Sequence, residues 1–198
     1  MNGSAVRLSP LVALIAAFYI NIAGLTHSAI AQGTIDFRNL AIMGGVRVVD
    51  APVRNADGTL LLGTIFRAAL YGGAAGTAES ELRMFGPSAG FLTIAAGAGY
   101  FAGGTRTLNE NGVTVTPGAP ATLQVRVWDL ESGPTWESAV IRGQSSLLTI
   151  NTGGAGIPPS TPALLIGLNP FTIPEPSTTA LGITAGLGAL LMLPRRRR

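Results

Sequence analysis

Short β-prone runs alternate with glycine-rich turns along residues 32–173. In the run TIDFRN, which begins at Thr34, Ile35 and Phe37 alternate with charged neighbours, so one face of a strand is apolar and the other is polar. Similar runs occupy 46–49, 64–71, 91–94, 112–115, 122–129 and 146–150. This pattern predicts an all-β domain with antiparallel strands, and it favours a β-sandwich or jelly-roll-like fold over a barrel.

Glycine marks the turns between these runs. Of the 27 glycines in the chain, 22 fall within residues 32–173. The glycine content of this segment is therefore about twice the usual ~7%. Asp57-Gly58 and Asn111-Gly112 are dipeptides that tolerate positive φ and close hairpins, so we expect each to join neighbouring strands. The density of turn residues indicates tight reversals rather than long helices.

Two further segments depart from the strand pattern. The run TWESAVIRG at 135–143 is the one plausible helix, because Pro134 or Thr135 suits its start and Gly143 suits its end. From Thr152 onward, glycine and proline are too frequent for regular pairing. We expect a loop there, leading either to a last short strand at 171–173 or into a linker.

Residues 1–31 have the three parts of a secretory signal peptide. A single arginine precedes a mostly apolar stretch at 11–25, and Ala29 and Ala31 form an A-x-A cleavage site. The alternative is a transmembrane anchor, but the stretch is short for ~30 Å of hydrocarbon, and an asparagine interrupts it. We therefore expect this leader to be cleaved on export.

The C-terminal tail has the composition of a marginal membrane helix. Residues 178–193 carry no charge, and they precede four arginines, Arg195, Arg196, Arg197 and Arg198. A helix of this length spans about 24 Å at 1.5 Å per residue. Snorkelling arginines and local thinning of the bilayer close the gap to ~30 Å. The positive-inside rule places the arginines in the cytoplasm as a stop-transfer signal and the rest outside, which is the side that the leader also predicts.

Pro174, Glu175 and Pro176 stand directly before this apolar stretch, and the arginines follow it. In this order of parts, residues 174–198 resemble the PEP-CTERM sorting signal of Gram-negative bacteria, which is the substrate tag of exosortase enzymes. The middle of the chain, through GAGYFAGGTRTL and TPGAPATLQVRVWD, is similar to secreted proteins that carry this tag. The tail departs from the pattern at Thr184 and at several glycines, which weakens membrane retention but not the motif.

The resemblance implies a processing route. The tag would hold the exported protein transiently in the inner membrane until an exosortase recognised Pro174, Glu175 and Pro176 and cut nearby. The protein would then pass to the cell surface or the extracellular matrix. The two prolines keep this segment extended and accessible. An ordinary tail anchor is the alternative, and Gly182 with Gly186 could mark helix pairing.

The distribution of charge excludes a nucleic-acid partner. All 13 basic residues are arginines, and five of them, Arg7 and the four at the C-terminus, lie outside residues 32–173. Eight arginines then face nine acidic residues in the exported part, so the basic pI of about 10.2 describes the ends of the chain. No basic face is left to neutralise a row of phosphates.

The exported part lacks most residues that carry chemistry. His27 is the only histidine and leaves with the leader, and the chain has no cysteine. Triads, thiol nucleophiles, and zinc or copper sites lose their residues, so we expect no enzyme activity, no metal and no cofactor. The remaining option is a carboxylate-based hydrolase. Glu79 with Glu81 and Asp129 with Glu131 would point to one face of a strand, although solvated loop charges also explain them.

Two ligand hypotheses remain for the exported domain. NADG at 55–58, with Asp50 upstream, resembles an oxygen-rich calcium loop, but the full spacing with a late bidentate Glu is absent, and a hairpin turn is the favoured explanation. Four aromatic residues offer flat faces for sugar rings, although core packing is the alternative role. These residues are Tyr71, Tyr100, Trp128 and Trp136. The sequence therefore predicts a non-enzymatic structural or interaction protein of the envelope or matrix, or alternatively a carbohydrate-binding module that engages exopolysaccharide.

Overall fold

The computed structural model describes residues 32–174, and this part of the chain is nearly all β. Two single 3-10 turns, Glu79–Glu81 and Ala95–Gly97, interrupt fourteen short strands. The strands are β1 Thr34–Arg38, β2 Leu40–Met43, β3 Val46–Asp50, β4 Val53–Arg54, β5 Phe66–Ala74, β6 Arg83–Gly90, β7 Ala102–Thr107, β8 Asn109–Glu110, β9 Val113–Thr114, β10 Pro120–Asp129, β11 Arg142–Gln144, β12 Leu148–Asn151, β13 Ala163–Leu164 and β14 Phe171–Thr172.

The larger sheet is antiparallel and is centred on the long strands β10 and β5. Its order is β11-β10-β5-β6, and β12 also pairs with β10. Because β11 pairs with the second half of β10 and β12 with the first half, both strands occupy the same edge of β10. The contact between β10 and β5 is continuous from Ala121, opposite Ala74, to Asp129, opposite Phe66.

The smaller sheet has the order β13-β1-β7. Strand β7 pairs antiparallel to β1, with a register shift between Phe37 and Arg38, whereas β13 pairs parallel to β1. Strand β14 also pairs parallel to β4. The antiparallel arrangement predicted from the sequence therefore holds for the larger sheet, and two short parallel pairs add to it. Parallel pairing requires a long connection, and here most of the domain lies between the partners, from Arg38 to Ala163 and from Arg54 to Phe171.

Both sheets contribute side chains to one apolar core. Ile35 and Phe37 of β1 lie in the same buried cluster as the inward residues of β5, β6 and β10. The Phe37 ring centroid lies 4.7 Å from that of Phe101, which in turn lies 5.6 Å from Phe91 in an edge-to-face arrangement. Without a disulfide, burial of this apolar surface is the main source of stability for the described domain.

A buried asparagine fixes the corner where β1 passes into β2. The Asn39 side chain is fully buried, and its amide donates to the carbonyls of Ala51, at 2.8 Å, and Gly99, at 2.9 Å. Its oxygen accepts a 2.7 Å bond from the Phe101 amide. With these three bonds, the polar group offsets the cost of its burial and ties three chain segments together.

The two predicted glycine turns have different geometries. Asn111, with φ 55°, and Gly112, with φ 78°, join β8 to β9 in a two-residue hairpin, as predicted. At the other turn only Gly58, with φ 86°, is left-handed. That turn reverses the chain between β4 and a single bridge partner, so it closes a loop rather than joining two strands.

The helix expected at 135–143 is wrong. A single helical hydrogen bond, from the Ala139 amide to the Thr135 carbonyl at 2.9 Å, forms one turn there. The chain must then return to the edge of β10, where the Ile141 carbonyl accepts from Asp129 and β11 begins at Arg142. Tertiary pairing thus outweighs the weak helical propensity of this short segment.

The run at 91–94 also fails to form a strand. Phe91 makes one isolated bridge with Phe101, and Leu92 to Ile94 then bend into the 3-10 turn Ala95–Gly97. Conversely, β6 and β7 are full strands that the pattern missed, because four glycines and a proline hide their alternation. The last strand expected near 171–173 is confirmed as Phe171–Thr172.

Candidate functional site

The outer face of the larger sheet carries an unusual buried row on β10. The odd-numbered residues of this strand face the common core, whereas the even-numbered ones point the opposite way. The outward residues are mostly polar, yet all four are at most 7% exposed. They are Thr122, Gln124, Arg126 and Trp128. A face that alternation would assign to solvent is therefore covered.

Two segments cover this face. The 3-10 turn at 79–81, between β5 and β6, approaches through Glu79, and the loop between β10 and β11 approaches through Trp136. The Gln124 side-chain amide donates to Glu79 Oε1 at 2.8 Å and to the Ser145 carbonyl at 3.0 Å. Gln144, on the edge strand β11, also donates to Glu79 Oε1. The carboxylate of Glu79 is thus held between two amide side chains.

Arg126 lies at the centre of the site, between two aromatic rings. Its guanidinium carbon is 4.1 Å from the ring centroid of Tyr71 and 4.4 Å from that of Trp136. Nε donates to Gln124 Oε1 at 2.8 Å, and Nη2 donates to the Glu79 carbonyl at 3.0 Å. The cross-strand neighbour on β5 is Ala69, which is small enough to leave room for this stack. Cation–π contact stabilises a guanidinium in such a place by ~0.5–2 kcal/mol.

No carboxylate neutralises Arg126 directly. Within residues 32–174, ion pairs closer than 4.0 Å occur only between Arg38 and Asp36 and between Arg47 and Asp50. The Arg126 side chain is nevertheless only 7% exposed. Aromatic faces and neutral acceptors therefore provide the compensation that a buried charge requires.

The loop between β10 and β11 positions Trp136. Thr135 and Ser138 exchange hydrogen bonds that close the turn, and Trp136 Nε1 donates to the Gly143 carbonyl at 3.4 Å. Arg142 adds a second cation, with its guanidinium carbon 4.6 Å from the Trp136 ring centroid. Its Nη1 also donates to the Trp136 carbonyl at 2.7 Å, so the loop is tied to β11 at both backbone and ring.

Tyr71 and Glu137 form a hydrogen-bonded pair at the mouth of the site. The phenol donates to Glu137 Oε1 at 2.9 Å. Burial, and then this bond to the carboxylate, raise the pKa of Tyr71 to about 12. Burial acts to raise the pKa of Glu137, but hydrogen bonds from its own backbone amide, from Tyr71 and from Thr135 outweigh that effect and lower it. Tyr71 therefore remains a neutral donor and Glu137 a charged acceptor at neutral pH.

These side chains border an open cleft of about 900 Å³. That volume lies within the range of known ligand sites, ~300–1,000 Å³. Basic and acidic side chains are equal in number along the cleft, so its formal charge is zero. The lining residues are Tyr71, Glu79, Ser80, Leu82, Arg83, Met84, Arg126, Trp136, Glu137 and Gln144.

The structure brings together two of the four aromatic residues proposed as a sugar platform. Tyr71 and Trp136 both line the cleft, with ring centroids 6.4 Å apart. Trp128 is buried at 4% exposure, and its Nε1 has no hydrogen-bond partner among the described residues. Tyr100 lies elsewhere, donating to Asp50 at 2.5 Å. Arginines contact the faces of Tyr71 and Trp136, so these faces already pack within the protein.

The paired carboxylates do not share a strand face, so the pairing that a carboxylate-based hydrolase would need is absent at these positions. Glu79 and Glu81 lie on a 3-10 turn, where residues two apart point in different directions, and only Glu79 lines the cleft. Asp129 ends β10, and its Oδ1 accepts a 2.8 Å bond from the Glu131 amide. That contact is an Asx turn, in which the first carboxylate caps the backbone of the second residue.

The oxygen-rich loop at 55–58 satisfies its own polar groups. Asp57 Oδ1 accepts from the amide and the hydroxyl of Thr59 at 2.9 and 2.6 Å. Asp50 accepts from Tyr100 and from Arg47, which lower its pKa in that order. Across the described residues, no group of three or more His, Cys, Asp or Glu side chains is arranged to hold a metal ion.

Most of the proposed sorting residues lie outside the described part of the chain. This applies to Ala29 and Ala31 of the leader, to Glu175 and Pro176, and to Arg195–Arg198. Pro174 is described and exposed, and it directly follows Ile173, which is 1% exposed. The Ile173 amide donates to the Arg54 carbonyl at 2.8 Å, so the packed structure extends to the residue before the motif.

Within residues 32–174, no helix is both long and apolar enough to cross a membrane.

The sequence indicated Tyr71, Trp136 and Glu79 as candidate site residues but not Gln124 and Arg126. The signal for them was present, because polar residues alternate with valines in a run otherwise suited to a buried strand.

Comparison of the chain with protein-family models, with curated proteins and with solved structures found no match in any of the three.

Proposed function

We propose that this protein is exported and sorted by an exosortase to the cell surface or the extracellular matrix, where its domain has a non-enzymatic structural or interaction role. The observation that carries the proposal is the order of parts in residues 174–198: Pro-Glu-Pro, an uncharged apolar stretch and four arginines. A cleavable leader at 1–31 supports the same route. We further infer that the two sheets at 32–173 form a β-sandwich, since both contribute to one core.

The boundary of the folded domain supports this proposal. Ile173 is packed and hydrogen-bonded, whereas Pro174 is exposed. A processing enzyme would therefore meet the motif without having to unfold the domain. The exported part also carries no cysteine, so it needs no oxidation step to become stable.

The test is intact-mass analysis of the surface protein from a host with an exosortase and from the same host without it. With the enzyme, the surface form should lack Arg195–Arg198, and alanines at Pro174, Glu175 and Pro176 should leave full-length protein in the inner membrane. The matched control replaces Ser177, Thr178 and Thr179 with alanine, which leaves the motif intact. A surface form that still ends in four arginines would replace the sorting proposal with a plain tail anchor.

A second candidate function is carbohydrate binding, and the cleft beside Arg126 favours it. Its mixture of aromatic, amide, carboxylate and guanidinium groups is the type of lining that recognises hydroxyl-rich ligands. Pulldown of the protein on exopolysaccharide separates this role from a purely structural one. Retention that is lost when the cleft is altered would favour the binding module.

A further inference from the structure

From the free polar atoms of the cleft, we infer that its ligand is a neutral, hydroxyl-rich polysaccharide segment held through hydrogen bonds rather than by stacking on an aromatic face. This inference rests on the carbohydrate-binding role proposed above and names its ligand class. It concerns the cleft bounded by the 3-10 turn at 79–81, the start of β6 and the loop that carries Trp136.

Stacking of sugar rings is disfavoured because arginines already use the aromatic faces. Arg126 packs on Tyr71 and Trp136, and Arg142 packs on Trp136, with all three distances below 5 Å. Arg126 is buried and anchored by two hydrogen bonds, so a ligand would have to break this stack in order to replace it. Recognition must therefore come from the polar edges around the rings.

Donors and acceptors remain available along these edges. Arg126 is anchored to Gln124 and to the Glu79 backbone through Nε and Nη2, and neither of these two hydrogen bonds uses Nη1. Arg83 and Ser80 are exposed donors on the lining. Glu79 accepts the bonds from Gln124 and Gln144 at Oε1 and so keeps Oε2 as a further acceptor.

The balance of charge selects a neutral ligand. Arg83 and Arg126 are opposed by Glu79 and Glu137 within one cleft. An anionic chain would be repelled by the two carboxylates, and a cationic chain by the two guanidinium groups. A hydroxyl group, in contrast, can donate to a carboxylate and accept from a guanidinium group. Adjacent hydroxyls of a sugar can therefore bond to both types of group, whereas a charged group on the ligand could pair with only one of them.

Preorganisation makes modest affinity attainable. The Arg126 stack and the two amides on Glu79 hold polar groups in place before a ligand arrives, which reduces the entropy lost on binding. The cleft is also open to solvent rather than enclosed, which suits a segment within a longer chain.

The experiment measures binding of the full-length protein in detergent micelles by calorimetry. The probes are neutral hexasaccharides (β- and α-glucans, galactan, mannan and N-acetylglucosamine oligomers), with a hexamer of galacturonate as the anionic comparison. We expect at least one neutral probe to bind with a Kd below about 1 mM. Its affinity should change less than about twofold between low and high salt, because no net charge is neutralised.

Variants connect this binding to the cleft. Arg83→Ala and Glu137→Gln should each weaken the neutral probe about tenfold, which corresponds to roughly 1.4 kcal/mol at each site. The matched controls are Arg38→Ala and Glu131→Gln, which remove the same charges from exposed positions off the cleft and should change affinity less than twofold. Circular dichroism checks that each variant retains its fold, and Gln144→Ala is a second probe if one does not.

Three results overturn the inference in distinguishable ways. In the first, only the galacturonate hexamer binds, and its binding is lost in high salt. This result leaves a carbohydrate-binding role but rejects the neutral ligand. Absence of binding to every probe rejects both. Neutral binding that Arg83→Ala and Glu137→Gln leave unchanged places the ligand on another surface. None of these results affects the sorting proposal, which the mass of the surface form tests separately.

Discussion

At the scale of single residues, the outer face of β10 depends on groups that compensate one another without ion pairing. Arg126 is stabilised by ring faces and neutral acceptors, and Glu79 by two amides. Burial of the Arg126 guanidinium is tolerated because it has several partners, and removal of one partner would leave part of its burial cost uncompensated. Tyr71 links this network to the carboxylate at its mouth.

The first prediction concerns the titration of Tyr71, whose pKa is raised to about 12 by burial and then by the Glu137 carboxylate. Its unfolded value is ~10, so the unfolded chain loses this proton first. The contribution to folding stability is therefore complete below pH ~10 and declines, by about 2 kcal/mol in total, as pH rises through ~12. Tyr71→Phe should remove this decline from urea unfolding measured across that range.

In the protein without residues 1–31, which carry Tyr19, phenolate absorbance in a Tyr100→Phe background measures the same titration directly for residue 71. Glu137→Gln should shift the midpoint toward ~10, because the carboxylate that favours the protonated phenol is gone. Glu131→Gln is the matched control and should leave the midpoint unchanged. A native midpoint near 10 would show that Tyr71 is neither buried nor paired as described.

The second prediction separates two adjacent glycines of β7. A Cβ on Gly103 would collide with Phe37 Cδ1 and would lie 2.9 Å from Arg106 Nη2, whereas Gly104, with φ 76°, faces open space. Gly103→Ala should cost ~2–3 kcal/mol through overpacking, and Gly104→Ala ~1–2 kcal/mol through backbone strain. In a Phe37→Leu background the first cost should fall, and the second should not change. Urea unfolding of the three single and two double variants, together with the native protein, gives both couplings, and equal coupling for the two glycines would contradict this account.

At the scale of secondary structure elements, short strands cover edges that would otherwise be free. The β8–β9 hairpin lies beside the β6 edge, where the Asn111 side chain donates to the Met84 carbonyl at 2.7 Å and Glu110 accepts from the Gly86 amide at 2.7 Å. Pro87 on β6 has no amide to offer a further strand. These features oppose edge-to-edge association of the larger sheet on this side.

The third prediction concerns β14. A chain ending at Ile173 should be as stable as the whole exported protein, since Ile173 is buried and the next residue, Pro174, is exposed. A chain ending at Pro170 loses the pairing of Phe171 and Thr172 with β4 and the buried side chain of Ile173. We expect this second truncation to cost at least about 3 kcal/mol. Urea unfolding of both chains is the measurement, and equal stability would show that β14 is dispensable.

At the scale of the whole molecule, the proposed processing sites lie at the two limits of the folded domain. Gly33 is already part of the fold, since its amide donates to the Val115 carbonyl at 2.8 Å and its carbonyl accepts from Leu108 at 2.8 Å. At the other limit, Ile173 is buried and Pro174 is exposed. Cleavage of the leader and of the tail would therefore leave the packed residues complete.

The fourth prediction is that exported protein begins at Gln32. Signal peptidase requires small residues before the cut, which Ala29 and Ala31 supply, and the fold begins at the next residues. N-terminal sequencing of extracytoplasmic protein is the measurement. Ala31→Arg should leave an uncleaved precursor, whereas Ala16→Leu, inside the apolar stretch, should be processed normally. Met1 on the native exported protein would contradict the leader assignment.

The sequence by itself determined the β class of the domain, the Asn111-Gly112 hairpin and the final strand, because each depends on local preferences for φ and on alternation within a few residues. The tertiary structure decided what local preference could not express: the parallel pairs formed by β13 and β14, the strands hidden by glycine in β6 and β7, and the loss of the helix at 135–143. The tertiary structure also determined that the cleft beside Arg126 forms. Arg126, Tyr71, Glu79 and Trp136 come from four elements: β10, β5, the 3-10 turn at 79–81 and the loop between β10 and β11. Only the covering of the polar face of β10 by these other segments converts a solvent-like pattern into a buried one.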